Sequence, residues 1–284
     1  MIQEKLFTFG EKRNLTGIVS IPACGSHVPE RPAIIFLNAG FLHQVGPHRM
    51  TVSLCREIST RNFISFRFDL SGIGDSPSSL SRNSHDEQVY LDIKSSMDLL
   101  EKKYSVERFI VAGLCSGADN AHKITVRDKR VCGMIGMDGY AYPTSRFEIN
   151  RYKSFLSSPK RITNYLLRTA NILDKKQEEP NLEESMEEFI PAWHLPPHEQ
   201  TKAEMAEFIE RKVKLLFIFA GSNIWEYNYC GQVKDMYSPL DFGDCMEEIF
   251  NIEADHTYML IRDQKKLTTQ IITWLEKHFL NTCN

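Results

Sequence analysis

Short runs of β-branched and aromatic residues recur along the chain, spaced so that a helix fits between most of them. Ala33-Ile-Ile-Phe-Leu37, Phe63-Ile-Ser-Phe-Arg-Phe68, Phe109-Ile-Val-Ala112, Val131-Cys-Gly-Met-Ile-Gly-Met137 and Val213-Lys-Leu-Leu-Phe-Ile-Phe-Ala220 are nearly continuous in apolar residues. Runs of that kind suit strands buried on both faces. Between them the apolar positions fall at helical spacing. Val52, Leu54, Cys55 and Ile58 mark one side of a helix over 50–61, and Val89, Ile93, Met97 and Leu100 mark a longer one over 86–104. Strands alternating with helices in this way predict an α/β protein with a parallel, doubly wound sheet. Leu6–Phe9 and Leu15–Ile21 are joined by a short polar turn and predict an opening hairpin. Glu247–Ile252 predicts a last strand, with a helix from about Asp263 to Leu280 behind it.

The alternation breaks once. From Pro143 to about Lys212 no run suits a strand, the residues are charged, and prolines at 159, 180, 191, 196 and 197 interrupt a helical pattern. This segment is expected to form a helical lid inserted before the strand at 213–220. The expected organisation is thus a core built from 1–142 and 213–284, with a lid over 143–212.

Composition adds mostly exclusions. A net charge of −3 gives no electrostatic reason to expect nucleic acid or an anionic membrane as partner. No apolar run approaches the roughly 20 residues of a membrane helix. The first residues lack a basic region followed by an apolar stretch, so a cytoplasmic location is expected. Seven cysteines without paired, metal-like spacing read as free thiols; neither a metal nor a cofactor is expected.

Chemistry concentrates where the strand at 109–112 ends. Gly113-Leu-Cys115-Ser-Gly117 has the form Gly-x-nucleophile-x-Gly between a strand and a helix over 118–127. Such a turn holds its central side chain on a strained backbone, and small flanking residues keep strand and helix from colliding with it. Moving the frame to Ser116 would put Leu114 where a small residue is needed. Cys115 is therefore the expected nucleophile, against the ordinary alternative of a small buried thiol. The helix N-terminus behind it would favour a thiolate.

The order of elements, the elbow and a late histidine together resemble the α/β-hydrolase superfamily across nearly the whole chain. Asp69-x-x-Gly72-x-Gly74-x-Ser76 is similar to a loop common among its hydrolases. Asn38-Ala-Gly40, Gly46-Pro-His-Arg49 and the elbow look like a bacterial subgroup similar to the exosortase-associated hydrolases. A cysteine at the elbow also resembles dienelactone hydrolases and polyhydroxyalkanoate synthases. The resemblance implies an oxyanion hole from the backbone N–H groups of Ser116 and Phe41. It implies His256, just past the last strand, as the catalytic histidine ahead of His43, His48, His122, His194 and His198.

The acid has three candidates. The family's usual position, after the strand at 213–220, holds Asn223 and Glu226; a variant position after the preceding strand holds Asp138, which is preferred here. Gly40, His48, Tyr140, Tyr142 and Trp225 are expected to border the substrate pocket, with Tyr227 and Tyr229 in the same aromatic cluster. Asp69 and Asp75 are expected to hold loop N–H groups. The implied activity is hydrolysis of a small-molecule ester or thioester, free or carrier-bound, through a Cys115 acyl-enzyme. The alternatives are acyl transfer by the same chemistry and a non-catalytic binding protein that keeps the fold.

Overall fold

The computed structural model describes residues 2–22, 31–156 and 195–280. An antiparallel hairpin opens the chain, β1 (Ile2–Phe9) with β2 (Leu15–Pro22). Then come β3 (Ala33–Phe36), α1 (Met50–Thr60), β4 (Ser65–Phe68), α2 (His85–Tyr104), β5 (Phe109–Leu114), α3 (Ser116–Arg127) and β6 (Val131–Met137). After α4 (Ser145–Leu156), the described chain resumes ahead of α5 (His198–Glu210). It closes with β7 (Lys214–Ala220), α6 (Gln232–Met236), β8 (Met246–Asn251) and α7 (Ile261–Phe279).

All eight strands form one sheet in the order β1-β2-β4-β3-β5-β6-β7-β8. β2 meets β4 antiparallel, and every pairing from β4 onward is parallel. The period-2 alternation of a strand divides the apolar residues between two cores. Ile35, Val111, Leu215 and Phe217 face one side, with Val89, Ile93, Met97 and Leu100 of α2 and Ala121 and Ile124 of α3. Ile34, Phe36, Ile110, Leu216 and Ile218 face the other, with Leu54, Cys55 and Ile58 of α1 and Ile271, Trp274 and Leu275 of α7. The central strands are apolar on consecutive positions because helices cover both faces.

The expected lid over 143–212 lies for its middle part, 157–194, outside the described residues. At its end, α5 packs on α3 and buries Met205 and Phe208 in the core that holds Ala121 and Ile124. α5 leads directly into β7. Among the described residues no helix is long and apolar enough to cross a membrane.

Candidate active site

In an open parallel sheet, ligands bind beyond the carboxyl ends of the strands. Register decides which residues meet there. Leu114, the last residue of β5, is level with Met137, the last of β6, so Cys115 and Asp138 leave adjacent strand ends side by side. The Cys115 N–H donates to Met137 O at 2.8 Å, and the Asp138 N–H donates to Ile218 O of β7 at 2.9 Å.

Cys115 adopts φ 57° and ψ −126°, the strained turn expected of the elbow. The flanking glycines are required by contact. A Cβ on Gly113 would lie 2.1 Å from the carbonyl carbon of Gly117, and one on Gly117 would lie 2.6 Å from Asn38 O. Neither neighbour is a side chain that could turn aside.

Asp138 is also held at positive φ, 47°, and its side chain is fully buried. Its Oδ1 accepts from the Ala220 N–H at 2.7 Å, which fixes the carboxylate at the end of β7. Its Oδ2 lies 2.7 Å from Nδ1 of His256. A carboxylate only accepts, so Nδ1 carries the proton and Nε2 is left for the other partner, the Cys115 thiol. The His256 pKa is pushed up to about 10, first by the hydrogen bond to Asp138 and next by that to Cys115, against the opposing effect of burial. The imidazole is 39% exposed, enough to meet solvent or a ligand.

His256 hangs on a tight turn after β8. Asp255 Oδ1 accepts from the Thr257 N–H at 2.9 Å, and its Oδ2 accepts from the Met259 N–H at 3.0 Å. The Ser222 N–H donates to Ala254 O, tying this turn to the loop after β7. Asp255 was not singled out by sequence, although an Asp two residues before a Thr is a recognisable Asx-turn signal.

Of the other acid candidates, Asn223 donates from Nδ2 to Glu226 Oε2 at 2.9 Å. The two thus pair with each other at the rim, and the side chain on His256 is that of Asp138. Asp69 holds the neighbouring loops. Its Oδ1 accepts from Asn38 Nδ2 at 2.8 Å and from the Gln44 N–H at 2.6 Å, and its Oδ2 accepts from the Asp75 N–H at 3.1 Å. Asp75 instead turns its carboxylate to His43 Nε2, at 3.0 Å.

Ser116 is the first residue of α3, so its N–H has no intrahelical acceptor. Phe41 sits inside the turn closed by the Leu42 N–H on Ala39 O, which leaves the Phe41 N–H out of that bond. The Gly40 N–H donates to Ser116 Oγ at 2.7 Å and ties this turn to the elbow.

A cleft of about 460 Å³ opens over the pair and is lined by Cys115, Asp119, Asp138, Tyr140, Asn223, Glu226 and His256, among others. Tyr140 is among its lining residues. Tyr142 is not; it is buried, with its hydroxyl donating to Pro196 O at 2.8 Å. Tyr227 and Tyr229 are core residues too, and Tyr227 stacks on Phe219 at 3.8 Å. Gly40, His48 and Trp225 are not among its lining residues, and His48 and Trp225 are exposed. His122 pairs with Glu204 of α5 at 2.6 Å, and His198 Nε2 bonds Met236 O at 2.6 Å, so both serve packing. His194 lies outside the described residues.

No family model matches the sequence, and no curated protein matches it. Solved structures do. An esterase of Pyrococcus furiosus superposes with a TM-score of 0.60 at 14% identity, over 97% of this chain and 91% of its own. An α/β serine hydrolase of Xanthomonas campestris described as lacking a lid gives 0.58 at 12% identity, over 99% and 97%. An α/β serine hydrolase homologue from Coxiella burnetii gives 0.57 at 13% identity, over 95% and 96%. At such identities the likeness is one of architecture, and that architecture, an elbow on the central strand of a mostly parallel eight-stranded sheet between two helical layers, is the α/β-hydrolase fold.

Proposed function

We propose that the protein hydrolyses an ester or thioester of a small molecule through a covalent Cys115 acyl-enzyme. The observation that carries this reading is the chain of contacts from Asp138 to His256 to Cys115 at the floor of an open cleft. A thiolate at a helix N-terminus beside an imidazolium is a poised nucleophile. It attacks the substrate carbonyl carbon, a C–S bond forms, and the carbonyl oxygen takes the negative charge. The Ser116 and Phe41 N–H groups supply donors for that oxygen. As the tetrahedral intermediate collapses, the bond to the leaving group breaks and His256 gives its Nε2 proton to the departing alkoxide or thiolate.

Acylation removes the thiolate charge that helped hold the imidazolium. Neutral His256, still oriented by Asp138, then takes a proton from water as the hydroxide attacks the thioester. Collapse of the second intermediate releases the carboxylic acid, and the thiolate–imidazolium pair returns. Asp138 keeps Nδ1 as the protonated nitrogen throughout.

The test is intact mass after mixing with activated esters and thioesters, with the parallel release of leaving group. A burst of one leaving group per chain and a matching acyl adduct on Cys115 are expected. An unmodified protein across the panel, or an adduct that survives Cys115→Ala, would overturn the proposal. Faster turnover with added alcohols or amines, giving new esters or amides, would redirect the same acyl-enzyme to transfer.

A further inference from the structure

The turn after β3 carries Phe41, whose N–H is one of the two donors proposed for the oxyanion. Side-chain packing does little to hold that turn. Phe41 is 78% exposed and Leu42 47%, and a Cβ on Gly40 would meet nothing within 4 Å. The Leu37 N–H still donates to Ala112 O of β5 at 2.9 Å, and beyond it the chain leaves the strand. Two polar anchors hold it from there. One is the buried side chain of Asn38, whose Oδ1 accepts from the Leu70 N–H at 2.9 Å. Its Nδ2 donates to Asp69 Oδ1 and to Leu42 O, each at 2.8 Å. The other anchor is Ser116 Oγ, which accepts from the Gly40 N–H at 2.7 Å. Phe41 stands between the two anchored residues.

The elbow does not depend on that hydroxyl for its own shape. The positive φ of Cys115 and the close backbone contacts at Gly113 and Gly117 define it. What the hydroxyl adds is a link from the elbow to the turn that holds the second donor. An oxyanion hole works because its donors are in place before charge develops. A displacement of about 1 Å can cost about 10²-fold in rate.

We infer that the Ser116 side chain is a positioning group for the oxyanion hole. Its hydroxyl holds Gly40 and thereby sets the Phe41 N–H against the N–H of Ser116 itself. The inference rests on acylation of Cys115 and deepens that reading by naming the side chain that fixes one donor relative to the other.

Two reactions of the same thiol test it. With p-nitrophenyl acetate a C–S bond forms to the acetyl carbon, the oxygen passes through an oxyanion, and p-nitrophenolate leaves. With iodoacetamide a C–S bond forms to a methylene carbon, iodide leaves, and no oxyanion arises. Rate constants for both are measured at Cys115 by mass spectrometry. Ser116→Ala keeps the residue's N–H and removes the hydroxyl, so acetylation should slow about tenfold or more. Alkylation should stay within about threefold, because the thiolate and its histidine are untouched. Ser116→Thr restores a hydroxyl and should recover acetylation to within about threefold of the native rate.

Native acetylation in Ser116→Ala would overturn the inference. So would an equal loss of acetylation and alkylation, which would place the effect on the thiol, or a Ser116→Thr as slow as Ser116→Ala. Folding is checked by circular dichroism, and Ser116→Gly, which lacks the hydroxyl equally, takes the place of an Ala variant that does not fold. A native Cys115 that takes iodoacetamide but no acetyl group overturns the acyl-enzyme reading itself, and this inference falls with it.

Discussion

Asp138 and His256 are 118 residues apart in sequence and 2.7 Å apart in space, and the Asp138 carboxylate is fully buried while the imidazole is partly open. The asymmetry suits a pair in which one member orients and the other exchanges protons. Asp138 spends its second oxygen on the Ala220 N–H, so it cannot follow the histidine if the turn after β8 moves.

Asp138→Asn should keep the acceptor for Ala220 and lose the charge beside His256. Turnover is expected to fall by about 10²-fold or more, because the tautomer is no longer fixed and the imidazolium loses its support. Asn223→Ala and Glu226→Gln, measured with a neutral ester, should each stay within about threefold of the native rate. Full activity in Asp138→Asn with loss in either of the others would move the acid to the loop after β7.

The protonation of His256 can be followed directly by NMR of labelled imidazoles. A pKa pushed up to about 10 means that the folded protein holds this proton through pH 8, where an ordinary histidine is neutral. The sign follows from the partners: negative groups at both ring nitrogens favour the charged form. Asp138→Asn should therefore lower the pKa most and Cys115→Ala somewhat less. A native His256 that titrates near pH 6.5 would contradict the arrangement.

Thiol labelling should single out Cys115. Burial pushes Cys55 up to about 11 and also raises Cys132, Cys230 and Cys245, so none of these gains thiolate near neutrality. With iodoacetamide below pH 7, peptide mapping should show Cys115 modified first. Cys24 and Cys283 lie outside the described residues. Cys230 or either of these labelled ahead of Cys115 would count against a poised nucleophile.

The elbow's glycines give a stability test with an internal control. Gly113→Ala drives a Cβ into the backbone of Gly117 at 2.1 Å and should cost about 3 kcal/mol or more, or prevent folding. Gly136→Ala, on the neighbouring strand, brings its Cβ no nearer than 3.5 Å to Phe217 and should cost less than about 1.5 kcal/mol. Urea unfolding of the two variants checks this. Equal midpoints would mean that the turn relaxes more than its contacts allow.

The fold was legible in the sequence because its signals are local. The apolar runs at Ala33–Leu37, Phe109–Ala112 and Val213–Ala220 mark strands covered on both faces, and Val89, Ile93, Met97 and Leu100 are all buried on α2 as their spacing indicates. Cys115 was legible for the same reason, since five consecutive residues define the turn that holds it. The partner of His256 was legible only as a preference: Asp138, Asn223 and Glu226 all follow strands of the right kind, and Asp138 was preferred. It is register, setting Met137 level with Leu114 and bringing the Ala220 N–H to the Asp138 carboxylate, that fixes where Asp138 stands. Tyr142 was misplaced because a loop's position in sequence says which end of the sheet it reaches but not which way its side chains turn. Local patterns fix backbone type through burial and sterics within a few residues, whereas cleft lining and hydrogen-bond partners depend on strands brought together across the chain, which only the packed sheet decides.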